Sequence, residues 1–263
     1  MRKGLFFLVL SFLLVLSVGC DKNEPPSITS EEAYAIYYDT ISRFVPELMT
    51  EPQECDINVT TRHEVTFLTE HFVRNLHQEI KSQNVDGKLQ YYLWNEFPDA
   101  NQLDLYFIDG DKFCSINCPL NGRGDLKEWG ASKIPALLFP HLNTPLFQHD
   151  AIKSFTAEYS GSDTVLSFVI DGGNMDNNFH MRVMREISPT FNDKLDDVTI
   201  VLTIDQNGTP KSMSTHLSMS KLRSDGSIFS QKIIDMDFVF NKFESVDFDL
   251  QKIVSLHSSD PLW

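Results

Sequence analysis

The chain has 263 residues, with 22 Lys+Arg against 37 Asp+Glu and a formal net charge of −15. That balance excludes a nucleic-acid partner, because binding phosphates needs clustered Lys and Arg, and it disfavours docking on anionic lipid through a basic patch. At 41% hydrophobic and 11% aromatic, with 20 Phe, the chain has material for one large β domain or two small ones and is not a disordered polymer.

Met1-Arg2-Lys3 opens an apolar run to Leu16, followed by Ser17-Val18-Gly19-Cys20. Two cations, about a dozen apolar residues and a small-residue cleavage point make a secretory signal, too short to span a bilayer comfortably. Leu16-Ser17-Val18-Gly19-Cys20 resembles a bacterial lipobox, with Ser17 where Leu is commoner. The resemblance implies that the Cys20 thiol is acylated and that cleavage leaves it as the first residue. Residues 1–19 then form the signal, 20–29 a polar lipidated tether, and 30–263 the folded domain. Loss of Arg2 and Lys3 takes the net charge from −15 to about −17. The expected location is the extracytoplasmic face of the cell membrane, held by the acyl anchor.

Residues 30–45 predict a helix capped by Ser30, with Glu31 and Glu32 at its positive end. Tyr34, Tyr37, Tyr38, Ile41 and Phe44 share a stripe, and Pro46 closes it. Segment 56–83 reads two ways. Val65, Leu68, Phe72, Leu76 and Ile80 keep helical spacing, while Ile57-Asn58-Val59-Thr60-Thr61 favours a strand. Leu89–Trp94, Leu103–Ile108 and Lys112–Ile116 predict strands, with Asp109-Gly110 as a hairpin turn.

Pro119, Pro135, Pro140 and Pro145 punctuate 119–150. Within it, Ile134–Pro140 and Leu146-Phe147 are apolar, which predicts a short helical patch or lid over a sheet. Lys153–Tyr159, Thr164–Asp171 and Val198–Asp205 predict further strands. Asn207-Gly208 turns into Lys211–Lys221, where Met213, Leu217 and Met219 face one way and Ser214, His216 and Ser218 the other. Asp225-Gly226 turns into Ser227–Phe240, with Ile234, Met236, Phe238 and Phe240 on one face. Strands this long argue for a strongly coiled or barrel-like sheet.

The Tyr106–Phe113 hairpin, the central Pro-rich patch and above all Val198-Thr-Ile-Val-Leu-Thr-Ile-Asp-Gln-Asn-Gly-Thr-Pro-Lys-Ser-Met213 carry a resemblance to LolA/LppX-like bacterial lipoproteins, covering about residues 30–250. Cys114, Cys118 and the His-rich 63–80 segment depart from that pattern. The resemblance implies a mainly β (α+β) fold: a curved antiparallel half-barrel sheet, covered on its concave face by an N-terminal helix and a central helical patch. It also implies an apolar cavity.

Catalytic and metal signatures are thin. His63, His71 and His77 sit at spacings that bring no two together on a helix, so surface histidines are the expectation. Gly-x-Ser-x-Gly, His-Glu-x-x-His and phosphate-loop motifs do not occur in the sequence. Cys114 and Cys118 would lie about 13 Å apart in one strand, beyond bridging reach, and could pair only if the chain turns between them; with Cys55, the three leave either one disulfide and a free thiol or no disulfide, and the spacing lacks two further zinc ligands. Gly172-Gly173 reads as a turn, and Arg123-Gly124-Asp125 as a chance tripeptide.

The expected function is therefore non-enzymatic: a lipid-anchored binding protein holding a lipid, an acyl chain or an apolar peptide in a half-barrel cleft. Leu137, Leu138, Phe139, Met219, Ile234 and Phe240 are the expected lining, because flexible Met and Phe faces adapt to variable apolar ligands. Neither cofactor nor metal is expected. The alternative is an envelope sensor or adaptor whose partner is another protein.

Overall fold

The computed structural model describes residues 28–45, 48–49, 51, 53–130, 147–174 and 192–259. Helix α1 (Ser30–Ser42) starts where the sequence suggests but is capped one residue earlier, by Thr29 rather than Ser30, and ends three residues short of the expected 45. Thr29 is its N-cap and forms a capping box with Glu32, each satisfying a backbone or side-chain donor of the other. Ala33, Tyr37, Thr40 and Ile41 form its buried stripe, while Tyr38, expected within it, is exposed.

Among the described residues twelve strands follow: β1 (Cys55–Phe67), β2 (Glu70–Val85), β3 (Lys88–Phe97), β4 (Gln102–Asp109), β5 (Lys112–Pro119), β6 (Leu126–Trp129), β7 (Ile152–Ser160), β8 (Asp163–Ile170), β9 (Asn192–Leu195), β10 (Val198–Ile204), β11 (Pro210–Leu222) and β12 (Ile228–Lys242). Helix α2 (Leu250–His257) closes the described chain. All the strands join one antiparallel sheet in the order β6-β5-β4-β3-β2-β1-β12-β11-β10-β8-β7, with β9 continuing the β10 side of β11. The sheet is curved and open, a half-barrel.

The ambiguous 56–83 segment is two strands, and together with β12 they form the long middle of the sheet. Turn chemistry sets several hairpins. Asp86 and Gly87 both have positive φ between β2 and β3, and Gly110, Gly161, Gly208 and Gly226 do the same at other turns. The β1–β2 turn is different: Leu68 takes φ 56° there with its side chain 57% exposed.

Two cores form, one on each face. The larger joins α1 to the concave face, through Ile57, Ile80, Leu93, Phe168, Ile200, Leu217 and Phe238 among others. The smaller lies on the opposite face, where Leu250 and Val254 of α2 meet Leu103, Leu105, Phe107, Cys114, Ile116 and Cys118. Strands β3–β5 are therefore covered on both sides. Asp249 caps α2 by accepting from the Lys252 N–H.

Gly124 fastens the chain end. Its N–H donates to the His257 carbonyl at 2.9 Å, and its carbonyl accepts from the Ser259 N–H at 2.9 Å. A Cβ there would sit 2.1 Å from the Asn117 carbonyl oxygen, so the backbone approach admits only glycine. The Arg-Gly-Asp tripeptide thus has a structural use at its centre. Gly172 is similar: its Cβ would lie 2.2 Å from the Asp196 carbonyl oxygen, so close approach, rather than a turn alone, requires it.

Candidate functional site

The candidate site is the concave face. Cross-strand register places Leu166, Leu202, Met213, Phe238 and Val59 side by side from β8 to β1. The same row continues through Gln78, Asn95, Asp104 and Asn117 on β2 to β5. One continuous line across the sheet thus changes from apolar to amide and carboxylate at the β1–β2 boundary.

Helix α1 covers the apolar half near the Phe240 end of β12. Phe44 lies 5.8 Å from Phe238 and 6.2 Å from Phe240, ring centre to ring centre. Tyr37 stacks on Phe147 at 4.9 Å and meets Phe168 at 6.0 Å. Of the expected lining residues, Phe240 is therefore packed against the helix. Met219 and Ile234 are buried on the same face, further toward the Ile228 end of β12. Leu137, Leu138 and Phe139 lie outside the described residues, as does most of the expected helical patch; Phe147, its last apolar residue, is buried against α1.

Between these regions runs the row Ile200, Thr215, Met236, Thr61. Thr61 and Thr215 are buried, and among the described residues neither hydroxyl has a hydrogen-bond partner. Alternation puts Ser214, His216 and Ser218 outward and, by the same parity, Thr215 inward between Met213 and Leu217, but it does not show that the threonine hydroxyls lack partners. In the amide half, Gln78 Nε2 donates to Asn95 Oδ1 at 2.8 Å, while Asn95 Nδ2 is buried without a partner among the described residues. Asp104 Oδ1 accepts from Gln102 Nε2 at 3.0 Å and also from Asn117 Nδ2. Beside it, burial pushes the Tyr106 hydroxyl pKa up, and the Asp104 charge adds to that.

Nucleophilic and metal chemistry finds little support in the geometry. Cys55, Cys114 and Cys118 are free and buried. Burial pushes the Cys55 thiol up to about 12 and the Cys114 thiol up to about 11, which keeps both protonated and unreactive at neutral pH. Cys114 and Cys118 share the face of β5 that meets α2. Among the described residues no three His, Cys, Asp or Glu side chains converge as a metal site. His71 and His77 are exposed, as expected of surface histidines, but His63 is half-buried on the concave face of β1.

On the opposite face, an open groove of about 290 Å³ lies among Thr199, Val201, Ser214, His216, Asp235 and Asp237. His216 Nδ1 and Asp235 Oδ1 stand 2.6 Å apart there. Both side chains are well exposed, so the pair contributes little to stability. No helix among the described residues is long and apolar enough to cross a membrane.

No protein-family model matches the chain, and no curated protein does. Among solved structures it is similar to a DUF1329 family protein from Desulfovibrio piger, at 11% identity and a TM-score of 0.30, over 83% of this chain and 98% of that one. A candidate outer membrane lipoprotein-sorting domain from Vibrio parahaemolyticus shares 11% identity, with a TM-score of 0.27 over 86% of this chain and 99% of that one. A LolA superfamily protein from Nitrosomonas europaea shares 10% identity, with a TM-score of 0.26 over 87% of this chain and 98% of that one.

Proposed function

We propose that this chain is a non-enzymatic binding protein, anchored by an acylated Cys20 on the extracytoplasmic face of the cell membrane, that holds a lipid, an acyl chain or an apolar peptide against its concave face. The observation that carries this reading is the extent of the concave apolar field compared with its helix. Eleven strands at about 4.8 Å spacing span about 48 Å across the sheet. A helix of 13 residues is only about 20 Å long and about 10 Å wide. Met219 and Ile234 lie in the part of the field beyond the Phe44 contacts, and with the expected patch residues Leu137, Leu138 and Phe139 they are the proposed contacts.

Extraction of the purified protein with organic solvent, followed by mass spectrometry, tests the reading. Co-purified lipid supports it, as does a fluorescent fatty-acid probe that binds the wild type and is displaced by Ile234→Trp in a folded protein. A wild type that carries no lipid and binds no probe overturns it. The second reading, an envelope adaptor, has one observation on its side. Phe67, Leu68, Phe72 and Ile228 are each at least 40% exposed around the β1–β2 tip, an apolar surface of the kind protein partners use.

A further inference from the structure

Three buried side chains of the concave face carry a polar atom with no hydrogen-bond partner among the described residues, and they do not belong in a site for a purely apolar ligand. Thr61 Oγ1, Thr215 Oγ1 and Asn95 Nδ2 are all buried, and a buried polar group without a partner is a standing cost that native proteins rarely accept. They are not scattered. Thr215 and Thr61 flank Met236 in one cross-strand row, and Asn95 stands in the neighbouring row, two strands along the sheet from β1.

The surroundings define the chemistry that would satisfy them. Asn95 Nδ2 offers a donor, and the two threonine hydroxyls can each donate and accept. Asp104 stands directly opposite Asn95 across the β3–β4 pair. Its carboxylate, held by Gln102 and Asn117, repels an anionic group placed beside Asn95. Past Thr61 the row runs Met236, Thr215, Ile200, so the second hydroxyl lies two strands beyond the first with Met236 between them. A ligand lying along this line would meet uncharged hydrogen-bonding groups at intervals from Asn95 to Thr215, and hydrocarbon-like walls beyond them at Ile200 and Phe168.

We propose that the concave face takes an amphiphile with an extended, uncharged, hydroxyl- or amide-bearing polar portion, laid across the strands from Asn95 past Thr61 to Thr215, with its chain directed over Ile200 toward β8. This inference rests on the binding-protein reading above and sharpens it: an anionic head is disfavoured on this row, because the buried lysines of the same face, Lys221 and Lys232, lie away from it near the Ile228 end of β12. The acyl chain supplies affinity, and the polar groups supply selection. Selection of this kind arises because a site built to hydrogen-bond rejects an analogue that leaves its buried groups unpaired.

The test measures thermal shifts and equilibrium binding of the full chain with three probes: a galactosyl diacylglycerol, phosphatidylglycerol and palmitate. The galactolipid is expected to bind best. In the double variant Thr61→Val/Thr215→Val, and separately in Asn95→Leu, galactolipid affinity should fall about tenfold, the loss typical of a hydrogen bond left unmade in a buried site, with palmitate unchanged. The unliganded double variant should melt no lower than the wild type, because it loses hydroxyls that had no partner. Asp104→Asn should narrow the gap between galactolipid and phosphatidylglycerol. Equal binding of all three lipids by the wild type, or an unliganded Thr61→Val/Thr215→Val protein that melts lower while its galactolipid affinity is unchanged, overturns the head-group assignment but leaves lipid binding standing. Failure of every lipid to bind the wild type overturns both.

Discussion

Trp94 and His257 meet at nearly a right angle, their ring centres 4.7 Å apart, on the face of the sheet turned away from α1. This contact pins the last residue of α2 to β3, and it makes the docking of the helix sensitive to acid. Burial holds the His257 pKa below its ordinary 6.5, opposed by a backbone hydrogen bond at Gly122 and reinforced by the Arg123 charge.

The sign follows from linkage. The imidazole takes up a proton more readily when α2 is released than when it is docked, so stability rises with pH wherever the released form holds more protons. Docking is full above pH 6.5 and weakens as pH falls below it. Amide protection factors, which normalise exchange to its intrinsic rate at each pH, should fall across 250–257 between pH 7.5 and pH 5.5 more than in β10–β12. A His257→Phe variant should lose that difference, and an equal change in protection in both regions would refute the assignment.

Gly124→Ala tests the clasp at the chain end. The added methyl has no room beside the Asn117 carbonyl, so either the 122–125 loop or the C-terminal segment must move. A loss of about 2 kcal/mol or more is expected by chemical denaturation, in the range for forced backbone rearrangement. A variant as stable as the wild type would mean that the C-terminal segment is not seated on Gly124.

Phe238→Ala removes the ring that α1 rests on. The site is 1% exposed and meets both Phe44 and Phe240, so the cavity has little freedom to collapse. The expected cost is about 3–5 kcal/mol. Thr29→Ala, which removes the α1 cap, should cost about 1 kcal/mol. Comparing the two by urea titration ranks tertiary packing against local capping in holding this helix.

Cys20→Ser tests the anchor. Labelling of the wild-type cells with a palmitate analogue should mark this protein, and the substitution should abolish the mark and shift the protein from membrane to medium or leave it uncleaved. Labelling that survives would rule out acylation at Cys20.

The closing hairpins were legible because nothing competes with period-two alternation there: Ile200, Leu202, Met213, Leu217, Met236 and Phe238 are all buried, and His216 is exposed. Residues 56–83 were not, for a reason of arithmetic. Phe72, Leu76 and Ile80 are four apart, a spacing that satisfies both a helical stripe and one face of a strand. All three share a face of β2, and only their pairing with β1 distinguishes the two readings. Helix α2 was overlooked although its signals are present, with Asp249 as cap and Leu250, Ile253 and Val254 at helical spacing. The polar half of the concave face was invisible for another reason. Gln78, Asn95, Asp104 and Asn117 come from four separate strands and become a row only when register aligns them.

Covering β3–β5 on both faces divides the sheet mechanically. Those strands lose two solvated surfaces on folding and form the rigid portion, whereas β10–β12 have a packed concave side and an open groove on the other. Low-cost opening of a folded protein is drawn from its least buried elements. The β3–β5 portion is therefore expected to resist local opening longest and the β10–β12 hairpins to open at lower cost, a ranking that amide protection along the two portions reads directly.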